Sequence, residues 1–178
     1  YSGIDLNKFS TAGDKKKLMD EFSISKDTIV VGIVAALVDH KDHETLLRAV
    51  SKIETSKKFI FVLVGAGELE AKLKNLTREL GIEDKVIFTG FRNDIQDFYA
   101  LFDIFTLTSK EEGLGTSVLD AMANNLPIVA TNGGGIGEML EHGKGSLLAE
   151  VGDYSTLAEH YKKLIESQSL RNDYGKKN

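Results

Sequence analysis

Six short runs rich in Val, Ile, Leu and Phe recur along this chain, and the stretches between them carry their apolar residues at helical spacing. The runs fall at 28–37, 58–64, 86–89, 103–108, 127–131 and 145–149. A strand buried on both faces of a parallel sheet reads as such a continuous apolar run, because helices cover it above and below. Regular alternation with helical segments then predicts an α/β fold, a doubly wound parallel sheet of about six strands with helices on both faces. Helices are expected at about 44–54, 68–80 and 94–101, with a short one after the turn at 113–116. The second of these stops at Gly81, and a last helix carries Tyr154, Leu157, Ala158, Tyr161, Leu164 and Ile165 on one stripe.

At 178 residues the chain reads as one domain, with residues 1–10 as a hinge-like lead-in and 169–178 as a polar, frayed tail. A net charge of −5 disfavours nucleic acid as a partner, because phosphate binding needs a basic face. The absence of Cys excludes disulfides and thiolate chemistry, and suits a cytoplasmic setting. The longest apolar run, Ile29 to Val38, is too short for a transmembrane segment.

Chemistry concentrates in Ser109 to Ala123, SKEEGLGTSVLDAMA, between the fourth strand and a helix. The turn Gly113-Leu114-Gly115-Thr116 leads into a helix whose first N–H groups lack intrahelical partners. Those groups and the helix dipole form a seat for an anion that the glycines let approach closely. Glu112 enters the turn and Asp120 stands eight positions on, so two carboxylates can border one ligand across the helix start. Carboxylates accept hydrogen bonds from paired hydroxyls, and a nucleotide sugar has that layout: an anionic middle with hydroxyls at each end. Ser117-x-x-Asp120 also reads as a variant capping box that merely starts the helix, and for Asp120 both readings stand.

Elsewhere the assignments divide. Lys41, at the carboxyl end of the first strand, stands on the edge where open α/β sheets bind ligands and can neutralise a phosphate. His40 and His43 read as loop polarity rather than metal ligands, with Asp42 as an N-cap. Gly65-Ala66-Gly67 lacks the third glycine of a dinucleotide fingerprint, Glu70 standing there, and reads as a tight turn. Arg92, after the third strand, can stack on a base or pair with a phosphate, or be an exposed loop residue. Gly133-Gly134-Gly135 either lets a ligand approach or forms a flexible loop, and Glu138 follows in a helix.

Glu112-Gly113-Leu114-Gly115, the carboxylate at the eighth place, Ala121-Met122-Ala123, Asn125 to Thr131, Gly133-Gly134 and Glu138 resemble the donor-binding signature of one family. It is the large retaining glycosyltransferase family, "group 1", with two Rossmann-like domains (the GT-B fold). Ser2-Gly3-Ile4-Asp5 is similar to the segment by which that family enters its C-terminal domain. The resemblance implies the donor-binding half of an enzyme that moves a sugar from a nucleoside-diphosphate sugar to a glycan, lipid or small-molecule acceptor, the acceptor being met by a missing N-terminal domain. It implies roles for Glu112 and Lys41 at the reacting centre, and donor contacts from Gly113, Leu114, Gly115, Thr116, Ser117, Asp120 and Arg92. Asp120 stands where the family usually has Glu, and the position of a usual Arg falls on Ala36. Without an Asp-x-Asp motif, no metal and no cofactor beyond the donor is expected. The chain is expected to be inactive alone, and the whole protein to be cytoplasmic with a possible place at a membrane surface. A non-catalytic nucleotide-sugar-binding domain and a nucleotide-sugar epimerase are the rival readings.

Overall fold

A computed structural model describes residues 13–178; the hinge-like segment expected at 1–10 lies outside the described residues. Seven strands form one sheet in the order β3-β2-β1-β4-β5-β7-β6, and its strand ladders are all parallel. They are β1 (Ile29–Val34), β2 (Phe59–Val64), β3 (Val86–Gly90), β4 (Ile104–Leu107), β5 (Ile128–Thr131), β6 (Glu141–His142) and β7 (Gly145–Ala149). The doubly wound α/β class is therefore the fold, with one strand more than expected. The added β6 has two residues, too short to show any periodicity, and β3 at the other edge slips register against β2 between Leu63 and Val64.

The helices are α1 (Lys15–Glu21), α2 (His43–Ser51), α3 (Glu70–Glu79), α4 (Ile95–Leu101), α5 (Thr116–Ala123), α6 (Ile136–Met139), α7 (Tyr154–Glu166) and α8 (Gln168–Lys177). The expected tail at 169–178 is instead α8. Ser167 caps it by accepting from Leu170 N–H, and Tyr174 anchors it at 6% exposure. Two apolar anchors, Leu170 and Tyr174, on an otherwise polar helix leave little periodic signal, which is why the sequence read as a tail.

The central strands are nearly continuous apolar runs, broken by the buried Thr106 and Thr131, because both faces are covered. On one side Tyr161 of α7 meets Phe61 edge-on at 5.0 Å and shares a buried hydrogen bond with Thr106 of β4 at 2.5 Å. Tyr99 of α4 stacks on Phe105 at 5.9 Å. What positions the site is the strand order: β1 leads outward to β2 and β3, while β4 leads the other way to β5 and β7. The winding reverses between β1 and β4, and the loops leaving such a pair diverge and open a crevice at their carboxyl ends.

Candidate functional site

Both loops at that crevice carry candidates, and the fold brings them into contact. After β1 the chain makes a 3₁₀ turn, Asp39–Lys41, and then Asp42 takes a left-handed conformation (φ 52°) to cap α2 through its side chain, which accepts from Thr45 N–H. Thr108, at the end of β4, donates its hydroxyl to the carbonyls of Lys41 and Asp42 at 3.2 and 3.1 Å, tying the loop to the neighbouring strand. Lys41 Nζ thereby reaches Glu112 Oε2 at 2.6 Å, and Ser109 Oγ donates to the same oxygen at 2.9 Å. Both charged side chains are largely covered, at 19% and 14% exposure. A half-buried charge is costly unless paired, and each supplies the other's partner.

The turn that follows is open. Gly115 is the N-cap of α5 with φ 52°, a backbone conformation that disfavours other residues, and no side chain caps the helix. Ser117 thus lies inside the helix, so Ser117 and Asp120 do not form a capping box. In front of Gly113 the space is empty to 4 Å, and Leu114 is 63% exposed. The first N–H groups of α5 therefore face a surface a ligand can reach. Asp120 lies in the second turn of that helix, half-buried; burial, with a smaller contribution from the Asp120 charge, raises the pKa of the Tyr99 phenol. Tyr99 itself donates to the Ser117 carbonyl at 3.1 Å, fixing α5 to α4.

Arg92 is placed apart. It follows β3, three strands from β4, or about 14 Å at ordinary strand spacing. Its guanidinium forks onto Glu21 (2.6 and 3.0 Å) and Asp94 (both 2.9 Å), and lies over the rings of Phe22 and Phe98. The Arg92 charge in turn holds the Asp94 carboxyl well below the usual range. The neighbouring Phe91 is 76% exposed.

One expectation needs correction. His43 is not loop polarity: it is 2% exposed as the first residue of α2, and among the described residues neither ring nitrogen has a hydrogen-bond partner. Burial, with a smaller contribution from Lys41, pushes its pKa down to about 4. It borders a cavity of about 40 Å³ that Leu69, Leu73 and Leu76 also line. Among the described residues no group of three or more potential ligands is placed to hold a metal ion. In the Gly133–Gly135 run, whose two readings the sequence left open, protein backbone stands where a Cβ would be at each position, while the Gly134 backbone itself is exposed. Sequence reading also missed Ser109 and Thr108, which orient Glu112 and Lys41. Their signal is weak: two hydroxyls at a strand end, in a run already explained as β4.

The family described as Glycosyl transferases group 1 matches residues 14–178. The chain belongs to that family. It is 30% identical over 164 residues to N-acetyl-alpha-D-glucosaminyl L-malate synthase of Bacillus anthracis, covering 92% of this chain and 43% of the relative. Among solved structures, Anabaena Alr3699/HepE in complex with UDP and glucose superposes with a TM-score of 0.90 at 28% identity, over 99% of this chain and 49% of that one. The same Anabaena protein in complex with UDP-glucose gives 0.89 at 29% identity, over 99% of this chain and 50% of that one. This chain thus spans about half the length of these relatives. Among the described residues no helix is long and apolar enough to cross a membrane.

Proposed function

We propose that this chain is the C-terminal, donor-binding half of a glycosyltransferase that moves a sugar from a nucleoside-diphosphate sugar to an acceptor with retention. The observation that carries the reading is the Lys41–Glu112 contact at the reversal of the sheet, beside an uncapped helix start. A nucleoside diphosphate leaves during transfer, so catalysis requires stabilised charge on its β-phosphate. The N–H groups at Thr116 and Ser117 receive that phosphate, and Lys41 exchanges Glu112 for a phosphate oxygen. Glu112 is thereby released to orient sugar hydroxyls together with the backbone of Gly113, Leu114 and Gly115. Asp120 holds the ribose. The base lies toward the loop after β3, where Arg92, its side-chain nitrogens already bound to carboxylates, keeps the loop in shape.

The relatives' names support sugar transfer, and the two Anabaena complexes, with UDP and with UDP-glucose, support this class of donor. Exposed Phe91 and Leu114 on the same edge fit an acceptor-bearing domain closing over the donor and excluding water. Glu112→Gln in the complete protein is expected to lower sugar transfer from a nucleotide sugar by about 10²-fold, the usual cost of a mispositioned reactant, in a protein that still folds though with Lys41 short of its charged partner. Turnover near wild type would overturn the assignment. Ala36, where the family usually has Arg, favours one second reading, a nucleotide-sugar-binding domain without catalysis. Binding of the donor without any transfer or epimerisation would select it.

A further inference from the structure

The turn that carries Glu112 does not hold its shape alone. Three successive glycines after β5 lie against it, backbone to backbone. A Cβ at Gly133 would run into the carbonyl of Ser109 and stand 2.8 Å from that of Lys110. At Gly134 (φ +59°) it would stand 2.5 and 2.7 Å from the carbonyl oxygen and nitrogen of Glu112, and at Gly135 2.6 Å from the Gly113 carbonyl. Real Cβ atoms do not come that close, so this packing excludes any side chain. Gly135 N–H donates to the Glu112 carbonyl at 2.8 Å, and Thr131 Oγ1 donates to the Ser109 carbonyl at 2.8 Å. Just beyond, Ile136 and Met139 of α6 pack beneath Gly115, 3.1 and 3.3 Å from where its Cβ would be.

We infer that Gly134 is a positioning residue: the segment from Gly133 to Met139 is the template on which the Ser109–Gly115 turn is formed, and it sets where the Glu112 carboxylate stands relative to Lys41. That the carboxylate then serves a donor sugar rests on the function proposed above. The template itself does not, because every contact in it is between parts of this chain.

Gly134→Ala tests it, with Gly152→Ala as the control. Gly152 has φ +81° and nothing within 4 Å of its Cβ position, so it carries the left-handed backbone cost without the collision. Both variants are expected to melt a few degrees lower. Only Gly134→Ala should displace the amide resonances of Ser109 to Gly115, and only it should reduce the ratio of UDP-glucose to UDP affinity, by about 10-fold, since the sugar end of the ligand depends on Glu112. Amide shifts no larger than the control's would overturn the inference. Displaced resonances in a chain that binds neither UDP nor UDP-glucose would uphold the template and count against the donor reading instead. If Gly134→Ala fails to fold, Met139→Ala loosens the same template without backbone strain, and an undisturbed Glu112 turn in that variant would equally overturn the inference.

Discussion

Two glycine-bearing turns stand on the carboxyl edge of this sheet, one after β2 and one after β4, and their surroundings differ. In the first, a Cβ at Gly65 would collide with the Ala35 carbonyl and one at Gly67 with the Leu37 carbonyl, while Leu69 N–H donates back to Leu37 at 3.1 Å. Protein fills the space that glycine leaves. In the second, nothing stands within 4 Å of where a Cβ on Gly113 would be, although α6 packs beneath Gly115, and the helix beyond has no side-chain cap. A glycine turn is therefore closed or open according to what its neighbours bring to it, and the motif alone does not decide.

The sharpest way to break this comparison is Gly65→Ala. Its φ of +139° and its collision together should cost on the order of 3 kcal/mol, read as a fall in Tm of roughly 6–12 °C for a chain of this length. Nucleotide affinity of the folded fraction should stay near wild type. Loss of binding at unchanged Tm would reverse the roles of the two turns.

The closed side also carries an acid-sensitive group. Because the folded pKa of His43 is about 4 against an ordinary 6.5, the unfolded chain binds the proton first. Stability is full above pH 6.5 and falls as pH drops toward 4, by up to about 3 kcal/mol from this residue. His43→Leu, which removes two buried, unpartnered nitrogens, should flatten that slope in urea titrations at pH 7 and pH 4.5. An equal slope in both proteins would contradict the burial.

On the open side, Lys41→Ala should weaken UDP binding by about 1.5–3 kcal/mol, the usual value of a charge-assisted bond, and uridine binding much less. Calorimetry with both ligands checks this, and equal losses would remove the phosphate role. The smallest effect on folding is expected at Gly113→Ala, within about 0.5 kcal/mol, because the methyl enters empty space. That same methyl should still obstruct UDP-glucose. Unimpaired binding would mean that the ligand does not pass over this turn.

What was legible in the sequence follows the same division. The central strands announce themselves as apolar runs because burial on both faces leaves no alternation, and β7 falls at 145–149 as read. Lys41 and Glu112 were legible as edge residues, each following a strand. That they bond each other was not, because the sequence does not state that β1 lies beside β4. Asp42 as a cap is a local matter and was visible, whereas the burial of His43 depends on Leu69, Leu73 and Leu76 arriving from a later helix. The helix read at Glu138 is the four-residue α6, whereas the two-residue β6 exists through its pairing with β7 and has no pattern of its own to read.

The two margins of the sheet bear on how this chain behaves in a crowded solution. An exposed strand edge recruits other chains when it is long, flat and apolar. Here one margin is β6, two exposed residues beside a Glu141–Lys144 ion pair at 2.9 Å. The other is β3, bent by its register slip, with the Lys74 and Lys85 ammonium groups lying over the rings of Phe88 and Phe59. A second molecule finds a stub on one side and charge on the other. Self-association by strand addition is disfavoured at both margins, and the exposed Phe91 and Leu114 lie on neither of them but on the carboxyl edge.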